Sequence, residues 1–327
     1  MRLPKFEYLE PNSIDEVLKV LSEMKGDARI LAGGTDILPS MKRKSVKPKY
    51  VVGLKKISDT RYIKYKKGDG LIIGATTTLR EIIESEVIKD RYPIIIDACS
   101  RVASNQIRNV GTIGGNICLD NKCMYYNQDH IWWKSREDCF KRGGKQCYVV
   151  KRGKSCWALS MADTVPALIA LDARIKLINS SGEREIKLED FYTGEGRSVN
   201  NIKEDEILME IVIPEGNGIS LFKKLAVRGA IDFAIVNTGV KMSMSDGRCK
   251  DIRIVVNAVS PSPERLRNTE EFLKDKKLDD VTIEEASNKA TKEVKYVTDM
   301  FGNSPWYRRR MIKVLINRSI KEIAGRR

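Results

Sequence analysis

Apolar residues recur at helical spacing early in the chain. In "NSIDEVLKVLSEM", Ile14, Val17, Leu18 and Leu21 fall on one face, and Ser13 and Glu16 stand at capping-box spacing, which predicts a helix. "ARILAGGTDILPSMK" reads as a short apolar strand ending in Gly33-Gly34, and "YVVGL" as another buried strand. In "YIKYKKGDGLIIGATTTLREIIESEVI" two strands flank a Gly-Asp-Gly turn, and a helix follows with Thr78 and Glu81 at capping-box spacing. Residues 91–110 read as a helix and a short connection into a second glycine turn. "MADTVPALIALDARIKLINSSGEREIKLEDF" reads as a helix-like stretch and then a hairpin, and "DEILMEIVIP" as a strand stopped by Pro214.

Between these segments, residues 117–160 have neither a helical nor a strand period. They carry seven aromatics (Tyr125, Tyr126, Trp132, Trp133, Phe140, Tyr148, Trp157), among them three of the four tryptophans. A long loop with that load must pack around something to be ordered. From about 217 the pattern becomes that of an antiparallel meander, with Asp246-Gly247 at a turn, and after Pro263 the chain reads as helical, its last helix starting at Ser304-Pro305. These changes predict an α+β protein of two parts. Residues 1–215 hold two subdomains (about 1–55 and 56–215) and a cysteine-rich insertion at about 119–158, and residues 216–327 form a C-terminal α+β domain.

Composition narrows the function classes. The 327 residues suffice for two or three domains. No run of 18 or more apolar residues occurs, so no membrane span is expected. The first residues lack the apolar stretch of a signal peptide, so a cytoplasmic location is expected. The net charge of +15 comes from 59 basic and 44 acidic residues. The lysines are dispersed and mixed with acids, and no nucleic-acid motif is present, so no nucleic-acid partner is expected. A Lys-rich solvated surface accounts for the charge, with a positive patch meeting an acidic subunit or substrate as the alternative.

Two sites, "AGGTD" and "TIGGN", place a Gly-Gly pair after a short apolar run. Glycine lets successive backbone N–H groups converge on an anion, so two such turns could hold the two phosphates of a dinucleotide. Neither is a Rossmann G-x-G-x-x-G or a P-loop. Each alone is also a plain tight turn.

Together with their flanks, "LAGGTDILPSMK" and "IRNVGTIGGNI" resemble the FAD-binding subunits of the molybdenum hydroxylase family. "ADTVPALIALDA", "DEILMEIVIP", "FKKLAVRGAIDFA" and "VVNAVSPSPERL" follow in the family's order, so the resemblance spans nearly the whole chain. It implies a vanillyl-alcohol-oxidase (PCMH-type) FAD-binding domain followed by a CO-dehydrogenase-flavoprotein-like C-terminal α+β domain. By the same resemblance, Ile30, Leu31, Ala32, Gly33, Gly34, Thr35, Asp36, Gly111, Thr112, Ile113, Gly114 and Gly115 would line the diphosphate and ribityl chain. Val102 would pack near the adenine, Thr112 and Asp163 would make polar contacts to the cofactor, and Lys224 would stand near the flavin. The plain alternatives are a helix cap for Asp163 and a surface lysine for Lys224.

Of the seven cysteines five fall between 118 and 156, and four of these lie in the insertion with the spacing Cys123-x15-Cys139-x7-Cys147-x8-Cys156. Four thiolates meet the ligand count of an iron–sulfur cluster and also of an all-cysteine zinc site, although zinc ribbons usually carry C-x-x-C knuckles and none is present. Free core thiols are the third reading. An insertion of this kind resembles the flavin subunits of the 4-hydroxybenzoyl-CoA reductase branch of the family. That resemblance implies a [4Fe–4S] cluster on these four cysteines. It also implies a ferredoxin-like donor, a large molybdopterin subunit and a small subunit with two [2Fe–2S] clusters, assembled as a dimer of heterotrimers. No catalytic residue is expected on this chain, since the molybdenum site would lie on the large subunit. Cys118 reads as a buried spare thiol near the flavin, His130 as a loop residue, and Cys99 and Cys249 as inert.

Overall fold

The computed structural model describes residues 2–294 and 304–325. It contains three sheets, each with its own core. The N-terminal sheet is parallel and ordered β1 (Glu7–Leu9), β3 (Tyr50–Gly53), β2 (Ala28–Leu31). The helix Ile14–Glu23 crosses between its first two strands in sequence and buries Val17, Leu18 and Leu21 against Ala28 and Val52. The Ser13 hydroxyl accepts from the Glu16 N–H (3.2 Å), as the spacing predicts. The Glu16 carboxylate reaches back one residue further than a capping box does, to the Asn12 N–H (2.8 Å).

The second sheet runs β4 (Ile63–Lys66), β5 (Gly70–Gly74), β8 (Ile207–Ile213), β6 (Arg174–Asn179), β7 (Gly182–Lys187), all antiparallel. The Gly-Asp-Gly turn joins β4 to β5 as expected, and Thr78 and Glu81 form a complete capping box on the helix Leu79–Glu84. The apolar helices Pro93–Ser100 and Val165–Ala170 share a core with this sheet and also pack closely against the C-terminal sheet. Ile94, Ile95, Val165 and Leu168 meet Leu71, Ile73, Ile175 and Ile211 in the largest core.

The C-terminal sheet is the expected meander: β9 (Ile219–Leu225), β10 (Val236–Ser245), β11 (Arg248–Asn257), with a two-residue β12 (Glu264–Arg265) on its edge. Asp246 and Gly247, both with positive φ (53° and 74°), make the tight turn between β10 and β11. The helices Arg267–Leu273, Asp280–Glu293 and Pro305–Gly325 pack on one face, burying Ile312, Ile316 and Ile320 against Val240 and Ile254. Residues 295–303, within the stretch read as helical, lie outside the described residues.

Candidate functional site

The chain leaves β2 into the first glycine turn and continues as a helix, Ile37–Lys42. The backbone N–H groups of Gly33, Gly34, Thr35 and Asp36 make no hydrogen bond among the described residues. Consecutive unpaired amides in a turn that includes a left-handed glycine (Gly34, φ 73°) form a concave donor surface suited to a phosphate.

The second turn is built differently. Thr112 caps the short helix Ile113–Ile117, its hydroxyl accepting from the Gly115 N–H (3.1 Å). The Gly114 N–H donates to the Ala75 carbonyl (2.9 Å). Both of these glycine amides are therefore occupied within the chain. A Cβ on Gly114 would lie 2.8 Å from the Ala75 carbonyl oxygen, so this glycine serves close packing against the end of β5. Gly33 does the same between the two turns, since its Cβ would fall 2.0 Å from the Val110 carbonyl oxygen and 2.9 Å from Gly111 Cα. The two turns touch, and glycine is what lets them.

The turns open on a cavity of about 1160 Å³. Of the residues singled out from the sequence, Ile30, Ala32, Gly33, Gly34, Thr35, Asp36, Val102, Gly111, Thr112, Gly114, Gly115 and Asp163 line it. Leu31, Ile113 and Lys224 stand behind its wall, and Ile113 is wholly buried in the main core.

Asp163 and Lys224 explain how the far wall is held. The Lys224 ammonium donates to Asp163 Oδ2 (2.7 Å), to the Arg101 carbonyl (2.9 Å) and to the Asp232 carbonyl (2.9 Å). Its three protons are thus committed, and its side chain is buried. Asp163 does not cap the helix that follows it, whose N-cap is Thr164. Its second oxygen accepts from Asn237 Nδ2 (2.7 Å). Burial pushes the Asp163 carboxyl up, and Lys224 and Asn237 oppose that shift. This buried set ties the ends of the helices Pro93–Ser100 and Val165–Ala170 to β9, β10 and the loop between them.

Sequence reasoning missed that loop as part of the wall: Arg228, Ile231 and Phe233 line the cavity. Ile231 has a positive φ (53°), rare for a β-branched residue, and is pinned by its N–H to the Ala103 carbonyl (2.8 Å). The available signal was a pair of apolar residues in a polar turn; Ile231 is 65% exposed. Asn116 was also missed. Its Oδ1 accepts from the Thr164 hydroxyl (2.6 Å) and so fixes the corner beside Asp163. Cys118 lines the same cavity, and burial pushes its thiol up to about 12.

The cysteine insertion leaves and rejoins the domain through one narrow neck. Lys122 and Leu159 exchange backbone hydrogen bonds (2.9 and 2.8 Å). Buried Asn121 clamps the neck, donating to the carbonyls of Ala158 (2.9 Å) and Pro261 (2.7 Å). Cys123 and Cys156 follow directly from this geometry, one on each side of the neck. Cys139 is set by its bridge to Gln146, and Cys147 by the turn in which the Val150 N–H donates to its sulfur (3.4 Å). All four cysteines line one small cavity walled by Tyr125, Tyr126, Phe140 and Tyr148.

Burial pushes the Cys123 thiol up, and the backbone N–H groups of Tyr125 and Tyr126 oppose that shift. Burial pushes the Cys156 thiol up to about 12, and the buried Lys141 ammonium pulls against that shift. Lys141 is anchored on Asp120 (2.7 Å) and the Gly196 carbonyl (2.6 Å). The four cysteines and the Lys141 side chain thus share the lining of one cavity. Among the described residues, no three His, Cys, Asp or Glu side chains stand close enough to hold a single metal ion. Buried Lys122, next to Cys123, forms an ion pair with Asp36 and so links the insertion to the first glycine turn. His130 lies in a separate surface cavity, and Cys99 and Cys249 are buried in the cores.

Comparison with known proteins agrees with this geometry. The family described as "FAD binding domain in molybdopterin dehydrogenase" matches residues 4–216, and that described as "CO dehydrogenase flavoprotein C-terminal domain" matches residues 220–323. The chain is 28% identical to the glyceraldehyde dehydrogenase medium chain of Sulfolobus acidocaldarius, covering 98% of this chain and 99% of that one. It is 26% identical to the carbon monoxide dehydrogenase medium chain of Hydrogenophaga pseudoflava, covering 97% and 96%. The fold superposes on a chain of reconstituted CO dehydrogenase from Oligotropha carboxidovorans with a TM-score of 0.82 at 26% identity, over 100% of both chains. With both its parts matched, the chain belongs to the molybdenum hydroxylase family as an FAD-binding subunit, a PCMH-type flavin domain followed by a CO dehydrogenase flavoprotein C-terminal domain.

Proposed function

We propose that this chain is the FAD- and [4Fe–4S]-containing electron-transfer subunit of a molybdenum 4-hydroxybenzoyl-CoA reductase. It would receive electrons from a ferredoxin-like donor and pass them toward the molybdenum cofactor of a large subunit, where the substrate is dehydroxylated to benzoyl-CoA. A small subunit with two [2Fe–2S] clusters completes a cytoplasmic dimer of heterotrimers. The observation that carries this reading is the ring of Cys123, Cys139, Cys147 and Cys156 around one cavity, on an insertion ion-paired to the flavin turn. Four aromatic rings wall that cavity, and the Val150 N–H donates to the Cys147 sulfur.

The amides from Gly33 to Asp36 would take the charge of the FAD diphosphate. When bound, FAD and the cluster supply the electron storage and transfer that no side chain of this fold provides. The names of the relatives, glyceraldehyde and carbon monoxide dehydrogenase medium chains, favour a second reading: the flavin subunit of an oxidising hydroxylase. Iron, labile sulfide and zinc analysis of anaerobically purified protein, with an assay of the complex on 4-hydroxybenzoyl-CoA, separates these readings. About four irons and four sulfides per chain are expected for one such cluster. Iron-free protein, or a complex inert toward the thioester, would remove the reductase assignment.

A further inference from the structure

The insertion carries a second feature on its outer side. A surface cavity of about 630 Å³ lies between the end of the helix Ile37–Lys42 and the short helix His130–Lys134. Lys44, Lys47, Lys134, Arg136 and Arg142 line it, against the acids Glu137 and Asp138. Arg142 is paired with Asp138 (2.9 Å), whereas Lys44, Lys47 and Lys134 have no ion-pair partner among the described residues. Five cations gathered from two distant segments leave a strongly positive surface. At its back stands Trp133, 7% exposed, with Arg142 over its ring at 3.8 Å and an indole N–H that has no partner.

Trp133 connects this cavity to the cysteines. Its ring stacks on Tyr126 (centroids 6.3 Å apart, planes at 27°), and Tyr126 packs in one cluster with Cys123 and Cys156. On the same short helix, Ile131 is 70% exposed. An exposed apolar side chain on the helix that also carries Lys134 suits a protein partner, because an inorganic anion has no use for it.

We infer that this basic face is the docking surface for a small acidic protein electron carrier, seated where Trp133 and Tyr126 bridge to the four-cysteine cavity. This inference rests on the electron-transfer reading above. In each encounter the carrier loses one electron and the subunit gains one, and no bond is made or broken. Electrostatic steering onto such a face speeds encounter and fades with added salt, and weak redox complexes rely on it.

The test uses the assembled complex, with a reduced acidic [2Fe–2S] ferredoxin as one donor and reduced methyl viologen as the other. Stopped-flow reduction is followed at several ionic strengths for the parent, for K134E/R136E, and for K274E/K277E, a matched charge change at exposed lysines of the C-terminal domain. We expect the ferredoxin rate of the parent to fall with salt. In K134E/R136E the ratio of ferredoxin-driven to viologen-driven rate should fall at least about tenfold and lose most of its salt dependence, while K274E/K277E keeps the parent ratio. Equal losses in both charge variants, or no loss in the first, would overturn the docking site. Tight, saturable binding of inorganic diphosphate that disappears in K134E/R136E would reassign the cavity to a small anion. Iron and sulfide analysis of the same samples keeps the two ideas apart: a missing cluster removes the reductase reading, and an intact cluster with an unchanged rate ratio removes only the docking surface.

Discussion

Replacing Gly33 with alanine isolates the contact between the two glycine turns. The added Cβ would lie 2.0 Å from the Val110 carbonyl oxygen and 2.9 Å from Gly111 Cα, both backbone atoms that cannot rotate away. Real Cβ atoms keep at least 3.0 Å, so the turns must part by about 1 Å. Overpacking of this kind costs typically 1–3 kcal/mol. The larger effect falls on the cofactor, because the free amides of Gly33 to Asp36 move with the turn. Losing two charge-assisted hydrogen bonds at roughly 1.5–3 kcal/mol each removes about 3–6 kcal/mol of affinity, at least a hundredfold in Kd. Fluorescence titration of the apoprotein with FAD measures that change, and a thermal melt of the FAD-free protein measures the overpacking alone. FAD affinity within threefold of the parent would refute both the contact and the phosphate role of the turn. G114A meets Ala75 at 2.8 Å and has its amide occupied, so it should lose stability more than affinity.

Serine in place of any one of Cys123, Cys139, Cys147 or Cys156 should lose iron and sulfide while retaining FAD; the same change at Cys99, Cys118 or Cys249 should keep the full iron count. K224M strands the buried Asp163 carboxylate and should cost about 3–5 kcal/mol in urea melts. K224M/D163N should cost less than K224M alone, since the stranded charge is gone. For Glu206, burial pushes the carboxyl up, but Arg184 (2.8 and 2.9 Å) and the Lys203 N–H outweigh it and hold it below the usual range. A carboxylate depressed in the folded state stabilises above its unfolded pKa and loses that contribution as pH falls through the folded one. E206Q should therefore be less stable than the parent by about 1–3 kcal/mol at neutral pH, with the gap narrowing below about pH 4 in denaturation curves.

Local structure was the most readable part of the sequence. The caps at Ser13 and Thr78, the Gly-Asp-Gly and Asp246-Gly247 turns and the apolar faces of the helices each depend on neighbours a few residues away. The helix Ile37–Lys42 went unread because Pro39 within "ILPSMK" signals an interruption, whereas in the first turn of a helix proline is tolerated. The glycine turns were legible as turns, but the difference between them was not. That the first leaves its amides free while the second spends two of them on Ala75 and Thr112 depends on contacts across the fold. Lysine was read as surface charge except at Lys224, which the family resemblance set near the flavin. Lys122, Lys141 and Lys224 are instead buried, each fixed by an acid distant in sequence (Asp36, Asp120, Asp163). No periodicity records such a pairing.

The neck at Lys122 and Leu159 bears on how such a subunit can change over evolutionary time. A loop that starts and ends at one pair of hydrogen bonds can grow without moving the strands and helices that carry it. Closure entropy rises only slowly with length, by roughly 0.6 kcal/mol per doubling. A new electron-carrying group can thus be grafted at this point, or discarded again, while the cavity next to it keeps its shape. What binds graft to host includes the Lys122–Asp36 ion pair and the Asn121 clamp, with Lys141 and Cys156 held on the loop at Glu195 and Gly196. Those side chains mark the seam along which the insertion can be exchanged while the flavin scaffold stays as it is.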